Sequence, residues 1–147
     1  MPTRITTDAR VQRVIEAFET LKREDLQQLE RLYADDARFK DPFNDVQGLP
    51  AIRGVFDHMF AALDGPRFVV TEAIAQGDQC FLVWDFLFRF RRFSSELQTV
   101  RGGSHLRFAA DGRIELHRDY WDAAEELYEK LPGVGALMRW LKRRANT

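Results

Sequence analysis

His117 and Asp119 are the two residues of the sequence best placed for proton transfer. They lie in a predicted strand, where alternate residues share a face, and their Cα atoms are then about 6–7 Å apart. Both side chains can reach one small molecule or each other. Burial makes a carboxylate hold its proton more firmly, and a neighbouring imidazolium has the opposite effect, so the pair suits acid/base work near neutral pH. Alternation does not say whether this face looks inward, and a structural hydrogen-bonded pair is the alternative.

Two further polar residues are candidates for the same site. Asp41 stands directly before Pro42 and can act as a second acid or base, or else as an Asx-type cap of the loop that follows. Ser104 shares a predicted strand face with Leu106 and Phe108. Its hydroxyl can bind a ligand oxygen, or it can fill space beside two neighbouring glycines.

Aromatic side chains are abundant, with 12 Phe, 3 Trp and 3 Tyr among 147 residues. A core or pocket dominated by rings follows from this content. Trp84, Phe86, Phe88 and Phe90 share one face of a long predicted strand. Such a stripe indicates core packing, and any part of it that lines a cavity favours a flat hydrophobic ligand.

The sequence favours neither a metal nor a cofactor. Cys80 is the only cysteine and lies in an apolar run, which is typical of a buried thiol. Asp41, His117 and Asp119 would supply one histidine and two carboxylates, whereas non-haem iron sites use two histidines and one carboxylate. The sequence has no glycine-rich phosphate motif and no Gly-x-Ser-x-Gly elbow. We therefore expect no metal and no cofactor.

The elements that must position these residues begin with helices and end with strands. Apolar residues at helical spacing predict helices over 8–22, 24–33 and from Pro50 to Leu63. Strands are predicted over 37–41, 68–75, 79–92, 97–109 and 113–121, with turns at Gly77-Asp78, Ser94-Ser95 and Asp111-Gly112. Residues 123–144 predict a C-terminal helix broken at Pro132-Gly133.

This order of elements indicates an α+β fold. We expect a curved antiparallel sheet, covered on its concave face by three N-terminal helices and followed by the broken helix. Gly102-Gly103 is a predicted bulge that bends the sheet. The length fits one domain over residues 1–147, and a curved sheet under helices leaves a cone-shaped cavity.

The charge balance excludes a general affinity for nucleic acid. Lys and Arg number 22 and Asp and Glu 23, so the chain has a net charge of −1 and no global basic field. The local basic stretch RWLKRR at 139–144 suits a solvated helix end, with anionic lipid or nucleic acid as the alternatives. The N-terminus has no apolar signal-peptide core, and no apolar run reaches membrane length. We expect a cytoplasmic protein that binds neither nucleic acid nor membranes.

Two stretches carry a likeness to a known superfamily. Residues 32–42, LYADDARFKDP, resemble the part of ketosteroid isomerases that ends in an Asp-Pro pair. Residues 112–122, GRIELHRDYWD, resemble the Trp-Arg-Asp-Tyr-Phe-Asp strand of limonene-epoxide-hydrolase-like and SnoaL-like proteins. With the order of elements, the chain is similar over nearly its whole length to the nuclear transport factor 2-like superfamily, in its SnoaL-like and ketosteroid-isomerase-like branch. This fold hosts isomerases, hydrolases, dehydratases, cyclases and non-enzymatic binders, so the resemblance implies the fold without implying one reaction.

The resemblance implies that His117, Asp119 and Trp121 face the cavity. By position, Asp41 matches the general base of the isomerases, and Asp119 matches a catalytic carboxylate of the epoxide hydrolases. The chain departs from the isomerases at their two oxyanion donors. Ala17 or Phe18 stands in place of their tyrosine, and Ser104 stands in place of their protonated aspartate.

We therefore expect a pocket protein that acts on a small hydrophobic, carbonyl-bearing or cyclic metabolite by cofactor-free acid/base chemistry of the isomerase, cyclase, dehydratase or hydrolase type. Asp119 and His117 are the predicted proton-transfer pair, and Asp41 is a second acid/base or orienting group. The predicted substrate-binding residues are Trp84, Ser104, Leu106, Phe108 and Trp121. The alternative is a binding or assembly domain without turnover. The missing oxyanion donors support it, and so do Ser104 and Gly102, which stand near the positions where the epoxide hydrolases have their other aspartate and their arginine.

The long strand also carries large apolar residues on its second face, among them Phe81, Val83 and Leu87. A sheet covered by helices on one side leaves that face bare, and large exposed apolar patches mark interfaces. We therefore expect a two-fold homodimer through the sheet.

Overall fold

The computed structural model describes residues 6–91, 96–126 and 134–145. Its first helix, α1, spans Ala9–Glu19 and begins at Asp8, whose carboxylate accepts a hydrogen bond of 2.9 Å from the Arg10 backbone N–H. Such a bond satisfies one of the N–H groups that a helix start leaves open. Val11, Val14 and Phe18 form the buried face of α1, as their helical spacing predicts.

The second predicted helix is a 3₁₀ helix over Arg23–Arg31, and it ends before Tyr33. Gln28 leaves the helical range inside this segment, with φ −123° and ψ 27°. The apolar spacing of Leu26 and Leu29 still buries both side chains. The prediction of a helix as far as residue 33 is wrong, because Tyr33 is the first residue of a strand and points its ring into the core.

A third helix and six strands complete the cone. Helix α2 spans Leu49–Ala62, with Pro50 in its first turn as predicted. The strands are β1 Tyr33–Lys40, β2 Asp45–Gln47, β3 Leu63–Gln76, β4 Gln79–Phe90, β5 Gln98–Phe108 and β6 Ile114–Tyr120. Their order in the sheet is β2-β1-β6-β5-β4-β3. Helix α1 lies against β3, and α2 lies against β1 and β3.

The α+β cone with its curved, open sheet confirms the predicted fold class. One pairing refines the prediction of an antiparallel sheet, because β1 and β6 run parallel and all the other neighbours antiparallel. The register sets Phe39 beside His117 and Lys40 beside Arg118. The parallel pair therefore brings the first strand of the chain against the strand that carries both candidate site residues.

Two strands differ from the predictions for local reasons. Residues 45–47 form the short edge strand β2, which was not among the predicted strands, and in it Val46 pairs with Phe39. Strand β3 begins at Leu63 rather than at residue 68. The Asp64-Gly65-Pro66 segment is part of β3. The register of β3 with β4 shifts between Asp64 and Arg67, and Gly65 has a φ of 59° there.

The core lies between the concave face of the sheet and the helices. Its fully buried side chains include Val11, Val14, Tyr33, Ile52, Leu82, Leu106 and Ile114. Cys80 belongs to the same cluster, as its apolar surroundings predicted, and burial raises the pKa of its thiol to about 11. Such a thiol is chiefly protonated at neutral pH and is a poor nucleophile.

The C-terminal part contains α3, Ala123–Glu126, and α4, Val134–Ala145. The predicted break at Pro132-Gly133 and the predicted turn at Ser94-Ser95 lie outside the described residues. On α4, Leu137, Trp140 and Leu141 are exposed. None of the described helices is long and apolar enough to span a lipid bilayer.

Candidate functional site

A small cavity lies between the helices and the concave face of the sheet. It measures about 20 Å³, which is room for roughly one water molecule. Its lining consists mainly of rings and aliphatic side chains, with three polar residues at its base: Phe18, Phe56, Phe68, Val70, Leu82, Trp84, Ser104, His117 and Asp119. The structure therefore brings His117 and Asp119 together at an apolar void.

The polar residues at the base form one continuous hydrogen-bonded chain. Tyr33 Oη lies 2.6 Å from His117 Nδ1, and His117 Nε2 lies 2.7 Å from Asp119 Oδ1. Ser104 Oγ lies 2.5 Å from the same carboxylate oxygen, and Trp84 Nε1 donates to Ser104 Oγ at 2.9 Å. The chain thus joins β1, β6, β5 and β4 beneath the cavity.

One arrangement of protons satisfies every member of the chain. Burial, and to a lesser extent the negative charge of Asp119, raises the pKa of Tyr33 well above its usual value. Tyr33 therefore keeps its proton, and in this arrangement its hydroxyl donates to His117 Nδ1 while the Nε2–H of His117 donates to Asp119. His117 and Ser104 then both donate to Asp119, and every bond of the chain points toward that carboxylate.

These hydrogen bonds use only one of the two carboxylate oxygens of Asp119. Oδ1 accepts from both Ser104 and His117, whereas Oδ2 has no hydrogen-bond partner among the residues that the structure describes. The described part of the chain contains no fully buried side-chain oxygen or nitrogen without a partner, so Oδ2 is accessible. The Asp119 side chain is 13% exposed. The site therefore presents one oriented, reachable carboxylate oxygen.

Gly102 allows Trp84 to take part in this chain of hydrogen bonds. A Cβ on Gly102 would lie 2.7 Å from the far edge of the Trp84 ring and 2.9 Å from Cβ of Trp121. The indole therefore lies directly over the glycine, where its N–H reaches Ser104. Gly103 leaves room for a ring on the outer face of the sheet in the same way, because an added Cβ there would lie 2.5 Å from the Phe81 ring.

The two glycines give a matched pair of variants. Gly102→Ala and Gly103→Ala should each lower the free energy of unfolding by about 1–3 kcal/mol through overpacking. Only Gly102→Ala should shift the indole N–H resonance of Trp84 in a ¹H–¹⁵N spectrum, because only it moves the ring away from Ser104. An unchanged Trp84 resonance in folded Gly102→Ala would contradict this account of the glycine.

Asp41 lies apart from the cavity. Its Oδ1 accepts hydrogen bonds from the backbone N–H groups of Phe43 and Asn44, at 2.8 and 2.7 Å, and from the Asn44 side chain at 3.0 Å. This is the Asx-type cap that the sequence offered as the alternative. The structure places Asp41 and Asp119 on the wall of an outer, open depression of about 650 Å³. Asp119 therefore separates the inner cavity from this depression.

The five predicted substrate-binding residues occupy three places. Trp84 and Ser104 line the inner cavity, and Trp121 lines the outer depression with its ring 5.6 Å from that of Phe43. Leu106 and Phe108 lie deeper in the core and do not line the cavity. Within the described ranges, no group of three or more His, Cys, Asp or Glu side chains lies close enough to hold a metal ion.

Sequence reasoning missed Tyr33 as a member of the site. Its apolar spacing with Leu26, Leu29 and Leu32 indicated a helix, and a register shift between Tyr33 and Arg38 hides the strand alternation. The signal that could have found it is a fully buried tyrosine, since a buried phenol needs a polar partner. Here that partner is His117.

The raised pKa of Tyr33 predicts a loss of stability in alkali. A tyrosine of the unfolded chain ionises near pH 10, whereas folded Tyr33 keeps its proton, so unfolding releases a proton above that pH. Between about pH 10 and the raised pKa, the free energy of unfolding should fall by up to about 1.4 kcal/mol per pH unit from this group. Tyr33→Phe should remove that part of the slope in urea unfolding, and Tyr120→Phe, on the exposed face, should not. Equal slopes in the parent and Tyr33→Phe would contradict the prediction.

Comparison with known proteins identifies the family. Residues 11–117 match the family model of the SnoaL-like domain, so the chain belongs to the SnoaL-like family. No curated protein matches the sequence. The fold and the family thus agree with the resemblance of residues 32–42 and 112–122.

Solved structures share the fold at low sequence identity. A hypothetical protein from Catenulispora acidiphila with a ketosteroid isomerase-like fold, in complex with trimethylamine, is 19% identical with a TM-score of 0.71 over 83% of this chain and 92% of its own. A candidate SnoaL-like polyketide cyclase from Shewanella putrefaciens is 14% identical, with a TM-score of 0.69 over 83% of this chain and 98% of its own. A candidate SnoaL-like isomerase from Agrobacterium tumefaciens is 17% identical, with a TM-score of 0.61 over 77% and 94%.

Proposed function

We propose that this SnoaL-like domain binds a small hydrophobic, carbonyl-bearing or cyclic metabolite and transfers a proton on it without a cofactor. The observation that carries the proposal is the accessible Asp119 Oδ2 at an apolar cavity, with Oδ1 of the same carboxylate held by two donors. A base within reach of a bound substrate, in a site that limits water, is what proton abstraction requires. Neighbours of the same fold that are described as isomerase and cyclase candidates support this class of reaction.

Each member of the chain has a role in this proposal. Asp119 Oδ2 takes a proton from the substrate and returns it to another atom of the same molecule. His117 and Ser104 orient the carboxylate through Oδ1, and Tyr33 keeps His117 in the tautomer that donates from Nε2. Asp41 orients the substrate from the outer depression that it shares with Asp119.

The size of the cavity defines how a substrate must bind. A space of about 20 Å³ does not hold a metabolite, so the ligand either displaces the rings of Phe18 and Phe68 or reaches Asp119 from the outer depression. The second candidate is a binding domain without turnover, and it is favoured because Ala17 or Phe18 and Ser104 stand where the isomerases have their two oxyanion donors. In that case the pocket selects a ligand and Asp119 contributes only to its affinity.

A co-purifying ligand separates these two functions. Native mass spectrometry of gently purified protein should show a hydrophobic molecule bound, and incubation of that molecule with the protein in D₂O should incorporate deuterium at a carbon next to its carbonyl group. Bound ligand without isotope incorporation or any other change of structure would favour the binding domain. A protein that binds none of the apolar carbonyl compounds offered to it would overturn both.

We also propose that two copies of the chain associate through the outer face of the sheet. Ile74 pairs with Phe81 across β3 and β4, and the Phe81 ring lies 6.4 Å from that of Tyr120 across Gly103. Ile74 is 65% and Tyr120 46% exposed, so a band of apolar surface crosses four strands. An exposed band of this kind marks an interface.

Light scattering during size-exclusion chromatography tests the assembly. At micromolar concentration the parent should have the mass of two chains, and Ile74→Lys should have the mass of one, because a charge in the band cannot be buried without a partner. Glu72→Lys, on the same outer face but outside the band, should remain a dimer. A monomeric parent would contradict the proposal.

A further inference from the structure

Helix α4 exposes an apolar stripe on one of its sides. Leu137 is 53%, Trp140 48% and Leu141 44% exposed. Their spacing of three and four residues makes them neighbours on the surface of a helix. The helix beside α4 is α3, and none of its four residues is buried. A contiguous stripe of large exposed apolar residues marks a surface that binds an apolar partner.

The same helix is strongly basic. Its sequence, VGALMRWLKRRA, has no acidic residue and four basic ones, namely Arg139, Lys142, Arg143 and Arg144. Arg143 and Arg144 are exposed, and the guanidinium of Arg144 lies 5.7 Å from the centre of the Trp140 ring. The two glutamates of α3 offset only half of this charge. The partner of α4 should therefore be negatively charged as well as apolar.

An anionic lipid surface has both properties. Its headgroups attract Lys and Arg side chains, and its acyl chains accept Trp and Leu side chains. Helix α4 has 12 residues and is about 18 Å long, so it fits in the plane of the interface and is too short to cross a hydrocarbon core of about 30 Å. We propose that α4 binds the surface of an anionic membrane, with Leu137, Trp140 and Leu141 inserted among the lipids.

Two other partners fit α4 less well. A second copy of α4, packed against the first about a two-fold axis, would bring the cations of both helices together. Nucleic acid offers phosphates to the cations, but its charged backbone gives the apolar stripe little to contact. Anionic lipid is one of the alternatives that the basic stretch at 139–144 left open. The exposed stripe favours it over a solvated helix end, and over the expectation that the protein binds no membrane.

Flotation of the full chain with lipid vesicles tests this surface. Vesicles of phosphatidylcholine with about 30% phosphatidylserine should bind the protein at about 0.1 M salt. Vesicles of phosphatidylcholine alone should bind it at least about tenfold more weakly, because they carry no net charge to attract four cations. Raising the salt to about 0.5 M should weaken binding to the anionic vesicles, since salt screens the attraction.

Variants separate the apolar stripe from the charges. Trp140→Ala should weaken binding to the anionic vesicles at least about tenfold, and so should the double variant Arg143→Gln and Arg144→Gln. The matched control is the double variant Arg101→Gln and Arg107→Gln, which removes two exposed charges from β5. It should change the binding by less than about twofold, because these charges lie outside α4.

Vesicles whose acyl chains carry bromine show whether the stripe is inserted. Bromine quenches tryptophan fluorescence at short range, so the emission of the parent should fall when it binds. Trp140→Phe should remove most of this fall, because Trp84 is buried in the core and does not reach the lipid. A parent that binds the vesicles without quenching would contradict insertion.

Equal binding to neutral and anionic vesicles, unchanged binding in Trp140→Ala, or no binding of the parent would each overturn the inference. A lower mass of Trp140→Ala in light scattering, without vesicle binding by the parent, would assign the stripe to a second copy. Tighter binding of a single-stranded oligonucleotide than of the vesicles would assign the cations to nucleic acid and would also overturn it. The surface uses none of the residues around the inner cavity, so isotope exchange at Asp119 and vesicle binding can fail separately.

Discussion

His117→Ala should lower the free energy of unfolding by about 3–5 kcal/mol, the largest effect on stability that we expect from a single substitution in the site. The His117 ring is 3% exposed and lies 4.7 Å from the Phe39 ring and 5.4 Å from the Phe18 ring, measured between centroids. Its removal leaves a cavity between these rings. It also leaves the fully buried Tyr33 hydroxyl without its partner.

Urea unfolding at pH 7 measures this effect, and His105→Ala is the matched control. His105 lies on the adjacent strand and points to the outer face, where its ring bonds to Gln79 at 2.9 Å. That variant should change the free energy of unfolding by less than about 1 kcal/mol. A loss of similar size in both variants would show that the Tyr33–His117–Asp119 chain contributes no special stability.

Asp119→Asn should have the largest effect on function. The amide oxygen of asparagine keeps two lone pairs, so it can still accept from Ser104 and His117, while the accessible oxygen becomes an NH₂ group that cannot take a proton. Binding or turnover of the true ligand should therefore fall at least about tenfold, or about 1.4 kcal/mol. Titration and isotope exchange with the co-purified molecule measure it.

Asp85→Asn is the control for this functional loss, because Asp85 lies on the outer face and is 38% exposed. It should bind and exchange the ligand as the parent does. An Asp119→Asn variant as active as the parent would remove Asp119 from the chemistry and leave the binding domain as the function.

The fold was predictable from the sequence because its signals are local and repeated. Helical spacing in 8–22 and 50–63, strand alternation from 79 onward and the turns at Gly77-Asp78 and Asp111-Gly112 all specify the observed elements. The parallel pairing of β1 with β6 was not predictable in this way. It joins residues near 39 and 117, and no local pattern encodes contact over that separation.

The site was predictable in part for the same reason. His117 and Asp119 are two residues apart on one strand, so alternation alone places them side by side, and the structure joins them at 2.7 Å. The roles of Tyr33 and Trp84 depend on four strands meeting beneath one cavity. Sequence spacing does not carry that information, so the chain of hydrogen bonds became visible only in the fold. Whether Asp41 takes part in chemistry stays a prediction.

Urea unfolding of Asp119→Asn beside the parent at pH 7 tests the central claim most directly, because it requires no substrate. If Asp119 is kept for function, removing its charge from an apolar cavity should leave the free energy of unfolding equal or higher. Asp119→Ala leaves both Ser104 and His117 without their hydrogen-bond acceptor, so it should be less stable than the parent by about 1–3 kcal/mol. This variant shows that the measurement can detect a structural loss. A loss of about 1–3 kcal/mol in Asp119→Asn itself would contradict the account and assign Asp119 a structural role.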